Sequence, residues 1–196
     1  RLDADAVDYL QGSLRMLCGL YGVLHPLDLI KPYRLEMGSK LKVGAHADLY
    51  ARWGDAIRDS LHAELAARQP AFVLNVASEE YSKVAKMREL DARVLTARFN
   101  AATVHMKQGR GELTRFCATH KVEDIEQLKA FTGTSGNWAF SELKGNDIIF
   151  DRVANNPLPK APKAAQKKPA ASEAPKAARK KPAASSTAAQ AKKAKK

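Results

Sequence analysis

The chain has 196 residues and a formal net charge of +12, from 33 Lys and Arg against 21 Asp and Glu. This length allows a core that buries roughly 70% of the unfolded surface, and no apolar run is long enough to span a membrane. Residues 157–196 carry eleven Lys, one Arg and one Glu, a net charge of +11, which leaves +1 for residues 1–156. The high pI therefore describes the tail, and it gives no support for a basic cleft in the domain.

The beginning of the chain is interpreted as two helices joined by a glycine-bounded turn. Apolar residues at helical spacing predict a helix over residues 3–18. Gly19 can end this helix, Gly22 closes the turn, and Pro26 suits the first turn of a second short helix. This order resembles a helix-hairpin-helix module, in which free backbone N–H groups bind a nucleic-acid phosphate. A plain helix end with a buried turn is the alternative.

The predicted nucleic-acid contacts of this turn are Gly19, Leu20, Tyr21 and Gly22. We expect the ring of Tyr21 to be buried rather than to stack on a base.

The remainder of residues 1–156 predicts a single mixed α/β (α+β) domain, because strand patterns alternate with helical ones. An extended segment at 32–38 is followed by an amphipathic helix at 48–68, a central buried strand at 72–77 and a helix capped by Ser78. A strand at 93–99 comes next, followed by an extended segment or turn at 103–106. The last predicted elements are a helix at 110–120, a short helix from 122 and a closing hairpin around Gly145-Asn146.

Two groups of polar residues are candidates for binding. Cations that could contact phosphates are Arg34, Lys83, Lys86, Lys107, Arg110 and Arg115. We interpret Gly109 and Gly111 as a glycine loop leading into a helix, which is a second potential phosphate site. A possible polar pocket comprises Tyr33, Glu36, Asn75, Ser78 and Tyr81, although an ion pair between Glu36 and Arg34 and an ordinary strand–turn–helix at 72–81 are the simpler interpretations.

No catalytic residue, metal site or cofactor is predicted. The histidines share no ligand spacing, no Cys-x-x-Cys pair occurs, and nucleotide-binding and nucleophile motifs are absent. Cys18 and Cys117 fall in apolar helical patterns, which suggests reduced core residues of a cytoplasmic protein rather than redox sensors.

Residues 157–196 form a low-complexity segment in which Lys-Lys-Pro-Ala-Ala-Ser occurs twice. It lacks the apolar residues needed for a core, so we predict a disordered tail. Its cations should bind DNA without sequence preference, and a solubilising role is the alternative. The tail residues predicted to contact DNA are Lys167, Lys168, Arg179, Lys180 and Lys181.

Four motifs, in order along the chain, resemble the YaaA family of bacterial peroxide-stress proteins. They are RMLCGLYGVLHPLD at 15–28, PYRLEMG at 32–38, VLNVASEEY at 73–81 and RGELTRF at 110–116. The resemblance implies a mixed α/β domain with a helix-hairpin-helix element and a basic cleft, associated with DNA binding and with limiting iron-driven oxidative damage. It also implies that the N-terminal portion of the family domain is absent. His25 stands where the family commonly has a basic residue, which weakens a phosphate contact there.

Two functions are consistent with these sequence features. The first is a cytoplasmic, monomeric peroxide-stress protein that binds DNA non-specifically and does not bind membranes. The second is an enzyme acting on a nucleobase or nucleotide, with Glu36, Asn75 and Tyr81 as its polar groups.

Overall fold

A computed structural model describes residues 1–153; residues 154–196, and with them the predicted tail, lie outside the described residues. The elements are α1 (Ala4–Ser13), β1 (Met16–Cys18), β2 (Gly22–Leu24), α2 (Leu49–Trp53), α3 (Ala56–Arg68), β3 (Val73–Asn75), α4 (Glu79–Val84), β4 (Val94–Asn100), α5 (Thr103–His120), α6 (Ile125–Leu128), β5 (Trp138–Lys144) and β6 (Asp147–Arg152), with a 3₁₀ turn at Met87–Glu89. The mixed α/β prediction is confirmed.

The main sheet has the strand order β3-β4-β6-β5. Strands β3, β4 and β6 run parallel, and β5 pairs antiparallel with β6 across the predicted closing hairpin. A register shift between Phe140 and Glu142 marks a bulge in β5. The predicted strand at 93–99 is confirmed as β4, which occupies an interior position of the sheet.

The predicted strand at 72–77 exists, but its position in the sheet was predicted wrongly. It shortens to β3 and lies at an edge rather than in the centre. Phe72, Leu74 and Val76 are consequently only half-buried, although an apolar run of this kind is typical of a strand covered on both faces.

One core lies between α5 and the sheet. Leu113 of α5 is buried against Leu95 and Phe99 of β4 and Phe150 of β6, and Trp138 of β5 closes this cluster. The Phe99 and Phe150 rings stack, with centroids 5.4 Å apart. This core holds the sheet and α5 together.

A second core joins α3 to the β1–β2 hairpin and to the irregular segment that follows it. Ile57 and Leu61 of α3 are buried with Met37 and Leu49, and Trp53 packs against this cluster. Met37 is fully buried although its segment forms neither helix nor strand, and Leu35 packs against the same core, so these two side chains anchor residues 32–38 to it.

The helix predicted over residues 3–18 is wrong beyond residue 13. Asp3 accepts a hydrogen bond from the Ala6 N–H and begins α1, which ends at Ser13. The next residues form β1 and pair antiparallel with β2, with Leu17 opposite Val23. Residues 16–24 are therefore a β-hairpin with no helix after it at Pro26, and the helix-hairpin-helix prediction is wrong.

Two other helix predictions need correction. The amphipathic segment 48–68 divides into α2 and α3 at Gly54, whose φ of 51° cannot continue a right-handed helix. Residues 103–109, predicted to be a turn and a glycine loop, instead belong to α5. Gly109 and Gly111 thus lie inside a helix, and the predicted glycine-loop phosphate site does not form.

Candidate functional site

The two glycines that bound the β1–β2 turn are closely packed. Gly19 and Gly22 are both buried. Gly22 has a φ of +79°, and a Cβ at this position would lie 2.9 Å from the Trp53 ring. The Trp53 indole N–H also donates to the Gly19 carbonyl at 3.0 Å. Glycine is required at residue 22 by the backbone conformation and by the neighbouring indole ring.

The turn amides already have an acceptor, the Cys18 sulfur. The Leu20 N–H and the Tyr21 N–H point at Cys18 Sγ, at 3.4 Å and 3.2 Å. These two amides are the ones that a phosphate would have to bind in the predicted module. Contrary to that prediction, they are not free.

Tyr33 completes the surroundings of Cys18. Its hydroxyl forms a hydrogen bond with Cys18 Sγ, and this contact is the main reason that the pKa of Tyr33 rises to about 12. The rings of Tyr33 and Tyr21 meet edge to face with centroids 5.5 Å apart. Tyr33, which was assigned to the predicted polar pocket, therefore contacts Tyr21 of the predicted nucleic-acid-binding turn instead.

The other cysteine is unsuited to redox sensing. Burial raises the pKa of the Cys117 thiol to about 12, so this group stays protonated at neutral pH. A thiolate is the form that reacts with peroxide.

A cleft of about 770 Å³ separates the edge of the main sheet from α1 and β1. This volume is within the range of small-molecule sites in proteins. Its walls are mostly aliphatic side chains and backbone, and three of the five predicted pocket residues border it: Asn75, Ser78 and Tyr81. Tyr33 and Glu36 are exposed outside it, and no ion pair joins Glu36 to Arg34 within the described residues.

Asn75 has a structural role at the carboxyl end of β3. Its amide nitrogen donates to the Ser82 hydroxyl at 3.0 Å and its amide oxygen accepts from the Ala77 N–H at 3.1 Å. A longer contact of 3.4 Å reaches the Thr96 hydroxyl. These bonds connect β3 to α4 and β4, and they leave Asn75 hydrogen-bonded without a ligand.

Ser78 and Tyr81 have fewer internal hydrogen bonds than Asn75, although the Tyr81 hydroxyl already has one with the Met37 backbone. Ser78 takes the N-cap position of α4 as predicted, but its side chain makes no capping hydrogen bond. Tyr81 is half-buried, and the loss of solvation raises the pKa of its hydroxyl. Tyr81 is thus a neutral hydrogen-bonding group at neutral pH.

An ion-paired cluster that no sequence pattern indicated lies at the border of the cleft. Glu64 of α3 forms a salt bridge with Arg15, and the His25 imidazole lies 3.3 Å from the same carboxylate. The hydrogen bond from Arg15 is the principal reason that the pKa of Glu64 is lowered. The separation of these residues along the chain leaves no sequence signal for this cluster.

The predicted phosphate-binding cations of the domain have different surroundings. Lys86 is paired with Asp55, and the Lys83 ammonium lies over the Tyr50 ring at 4.9 Å. Arg115 donates to the Arg1 carbonyl at 3.1 Å. Arg34 and Lys107 are exposed.

Arg110 differs from the other cations. It is half-buried, and its Nε has no hydrogen-bond partner within the described residues. Loss of solvation lowers the pKa of Arg110, with repulsion from Arg98 adding to the effect. Its guanidinium nevertheless remains charged at neutral pH. Arg98, which no sequence pattern singled out, is therefore a positive neighbour of a predicted phosphate contact.

The predicted contacts at Lys167, Lys168, Arg179, Lys180 and Lys181 lie outside the described residues. Among residues 1–153, no cluster of three His, Cys, Asp or Glu side chains could hold a metal ion. In the same range, no helix is long and apolar enough to cross a membrane.

The chain is similar in sequence to bacterial proteins named UPF0246. A UPF0246 protein of Aliivibrio fischeri strain MJ11 is 37% identical over 163 residues, which cover 79% of this chain and 63% of the relative. One of Burkholderia thailandensis is 41% identical over 159 residues, covering 76% and 60%. The chain thus spans less than two thirds of the length of these relatives.

The family model described as peroxide stress protein YaaA matches residues 1–143. This region includes all four motifs on which the sequence resemblance rests. Because the match extends over well above half of the chain, the chain belongs to the YaaA family of peroxide stress proteins.

Proposed function

We propose that this chain acts in the peroxide-stress response by binding DNA non-specifically and limiting iron-driven oxidative damage to it. Membership of the YaaA family supports the peroxide-stress role. The observation that carries the DNA-binding proposal is the excess of cations in residues 157–196, which hold eleven Lys and one Arg against one Glu. A chain segment of this charge binds polyanions because each neutralised phosphate releases condensed counterions.

The domain has a smaller part in this binding than the sequence suggested. The amides of the β1–β2 turn are engaged by Cys18, so they add no phosphate site. Exposed Arg34 and Lys107 remain available for phosphates, and Arg110 beside Arg98 is an unpaired positive group among the described residues. Most of the affinity is therefore assigned to the tail.

The test is a titration of duplex DNA with the full chain and with a variant lacking residues 157–196, each over a series of salt concentrations. If half of the twelve tail cations engage DNA, log affinity should fall with log salt at a slope of about −5. Removing the tail should weaken binding and flatten this slope. A slope that does not change on removal of the tail contradicts the proposal.

A matched variant distinguishes the effect of the tail's charge from the effect of its length. Lys167→Gln, Lys168→Gln, Lys180→Gln and Lys181→Gln together keep the tail but remove four charges. The slope should then become shallower by up to about 3.6, since each phosphate contact contributes roughly 0.9.

Protection against damage is measured as strand breakage of plasmid DNA by Fe(II) and hydrogen peroxide. Equal breakage with and without bound protein contradicts the protective role.

The cleft favours a second candidate, an enzyme acting on a nucleobase or nucleotide. Its volume of about 770 Å³ suits such a ligand, and Ser78 and Tyr81 at its border have hydrogen-bonding capacity to spare. The internal hydrogen bonds of Asn75 reduce its value as a catalytic group. Nucleosides that raise the melting temperature of the wild type, but not of Tyr81→Phe, would support this candidate. No shift with any nucleoside would argue against it.

A further inference from the structure

The described surface has one concentration of exposed apolar side chains. Eight of the ten exposed large hydrophobic residues lie between residues 16 and 41, in the β1–β2 hairpin and the irregular segment after it. Leu29 is 100% exposed. Several exposed large apolar side chains within one segment of a folded domain often belong to an interaction site, and long irregular segments in a compact domain are often functional.

Two aromatic rings are prearranged within this surface. Tyr21 is 38% exposed and Tyr33 is 40% exposed, which corrects our expectation that the Tyr21 ring is buried. The Tyr33 hydroxyl is held by Cys18, and the Tyr21 hydroxyl accepts a hydrogen bond from the Lys31 N–H at 3.3 Å. Both rings are therefore fixed at their polar ends while much of their surface remains open to solvent.

Four exposed cations lie in the same segment of the chain as the two rings. Lys31, Arg34, Lys40 and Lys42 are exposed, and none of their side chains forms an ion pair or hydrogen bond with another described residue. Two exposed carboxylates share this segment, Asp28, which accepts a hydrogen bond from the His25 N–H, and Glu36, so the four cations exceed the acidic side chains there by two. Open rings and unpaired cations within one segment match the chemistry of a strand with unpaired bases and a phosphate backbone.

We propose that Tyr21 and Tyr33 form a stacking platform for unpaired bases of single-stranded DNA, with Lys31 and Arg34 contacting its phosphates. This inference rests on the proposed DNA binding and specifies one form of DNA that the domain recognises. A duplex keeps its bases stacked inside the helix, so the platform binds single strands in preference. Recognition through ring faces is independent of base sequence, because every base has a π-face.

The test uses a short fluorescein-labelled oligothymidylate and a duplex of equal length, titrated by fluorescence anisotropy with the full chain. The salt concentration is set where the cationic tail contributes little. Loss of one stacked base should weaken single-strand binding roughly 5-fold to 150-fold. We expect this loss for Tyr21→Leu and for Tyr33→Leu, with duplex binding unchanged to within about 2-fold because it depends on phosphate contacts.

Phe variants serve as matched controls. Tyr21→Phe and Tyr33→Phe keep the ring but lose the hydroxyl contacts, so they should bind single strands nearly as well as the wild type. Circular dichroism verifies that each variant is folded. If Tyr33→Leu does not fold, Tyr21→Leu decides the outcome, because its ring contributes less to the surroundings of Cys18.

The outcomes separate this inference from the proposed function. Leu variants that bind oligothymidylate like the wild type overturn the stacking platform while leaving tail-driven duplex binding intact. A wild type that binds neither form of DNA overturns both. Selective binding of an oligouridylate would overturn the assignment to DNA. A membrane contact is tested by sedimentation of the protein with phosphatidylglycerol vesicles. If Leu29→Ser and Ile30→Ser abolish this sedimentation while the Tyr variants do not affect DNA binding, the surface is a membrane contact instead.

Discussion

At the scale of single residues, Glu64 shows how tertiary structure changes the chemistry of an ordinary carboxylate. Arg15 donates to it and His25 lies beside it, while its side chain remains 27% exposed. The Arg15 hydrogen bond lowers the pKa of Glu64 below the usual value of 4.5 despite partial burial. A lowered pKa stabilises the folded state at pH values above 4.5, and this stabilisation is lost as the pH falls through the folded-state pKa.

We therefore predict that Glu64→Gln lowers the free energy of unfolding by about 1–2 kcal/mol at neutral pH. The difference from the wild type should shrink as the pH falls below about 4. Urea denaturation over a pH series measures both. Glu36→Gln is the control, because Glu36 is exposed, and its effect should stay within about 0.5 kcal/mol. A Glu64→Gln effect that is independent of pH would show that the ion pair is not its cause.

At the scale of elements, α5 contains two glycines with opposite surroundings. A Cβ on Gly109 would lie 2.6 Å from the Phe99 ring and 2.9 Å from the Trp138 ring. A Cβ on Gly111 would meet nothing within 4 Å. Gly109 is thus required for close contact between α5 and the sheet, whereas Gly111 only weakens the helix.

Alanine substitutions at the two glycines should accordingly change the free energy of unfolding in opposite directions. Gly109→Ala forces the aromatic core apart and should cost about 1–3 kcal/mol. Gly111→Ala should stabilise by about 0.5–1 kcal/mol, since alanine favours helix and meets no neighbour. Urea denaturation of both variants measures the pair. Stabilisation by Gly109→Ala would mean that α5 and the sheet are not in this close contact.

At the scale of the whole described molecule, two hydrophobic cores share one chain. Ile148 belongs to the core between α5 and the sheet, and Ile57 to the core of α3 and the hairpin. Each of these side chains is almost fully buried. Consecutive residues of β4 belong to different cores, since Val94 packs against the hairpin core and Leu95 is part of the sheet core. We therefore expect the two cores to unfold together.

Ile57→Val and Ile148→Val should each lower the free energy of unfolding by about 0.5–1.5 kcal/mol. In the double variant these losses should add to within about 0.5 kcal/mol, because the residues belong to separate clusters. Urea denaturation followed by both circular dichroism and tryptophan fluorescence measures this. Non-coincident transitions from the two probes would show that the cores unfold separately.

The candidate site was predictable in its residue types but not in its geometry. Sequence patterns selected residues 14–38, and also Ser78 and Tyr81, which border the cleft. They could not reveal that the amides of Leu20 and Tyr21 bind Cys18, because a thiol as acceptor leaves no pattern. The position of Arg98 beside Arg110 was equally hidden, because their proximity arises only when β4 and α5 are both in place.

Local composition by itself determined the α/β class, the strand β4, the closing hairpin and the uneven charge of the chain, because periodicity and glycine placement act over a few residues. Only the folded structure decided that residues 16–24 are a hairpin, that β3 lies at an edge and that Gly109 is inside a helix. Leu14 to Cys18 have an apolar pattern compatible with either helix or strand. Pairing with β2 and the contact between Gly22 and Trp53 select the strand; β2 follows β1 after a three-residue turn, so only Trp53 lies outside the local sequence window.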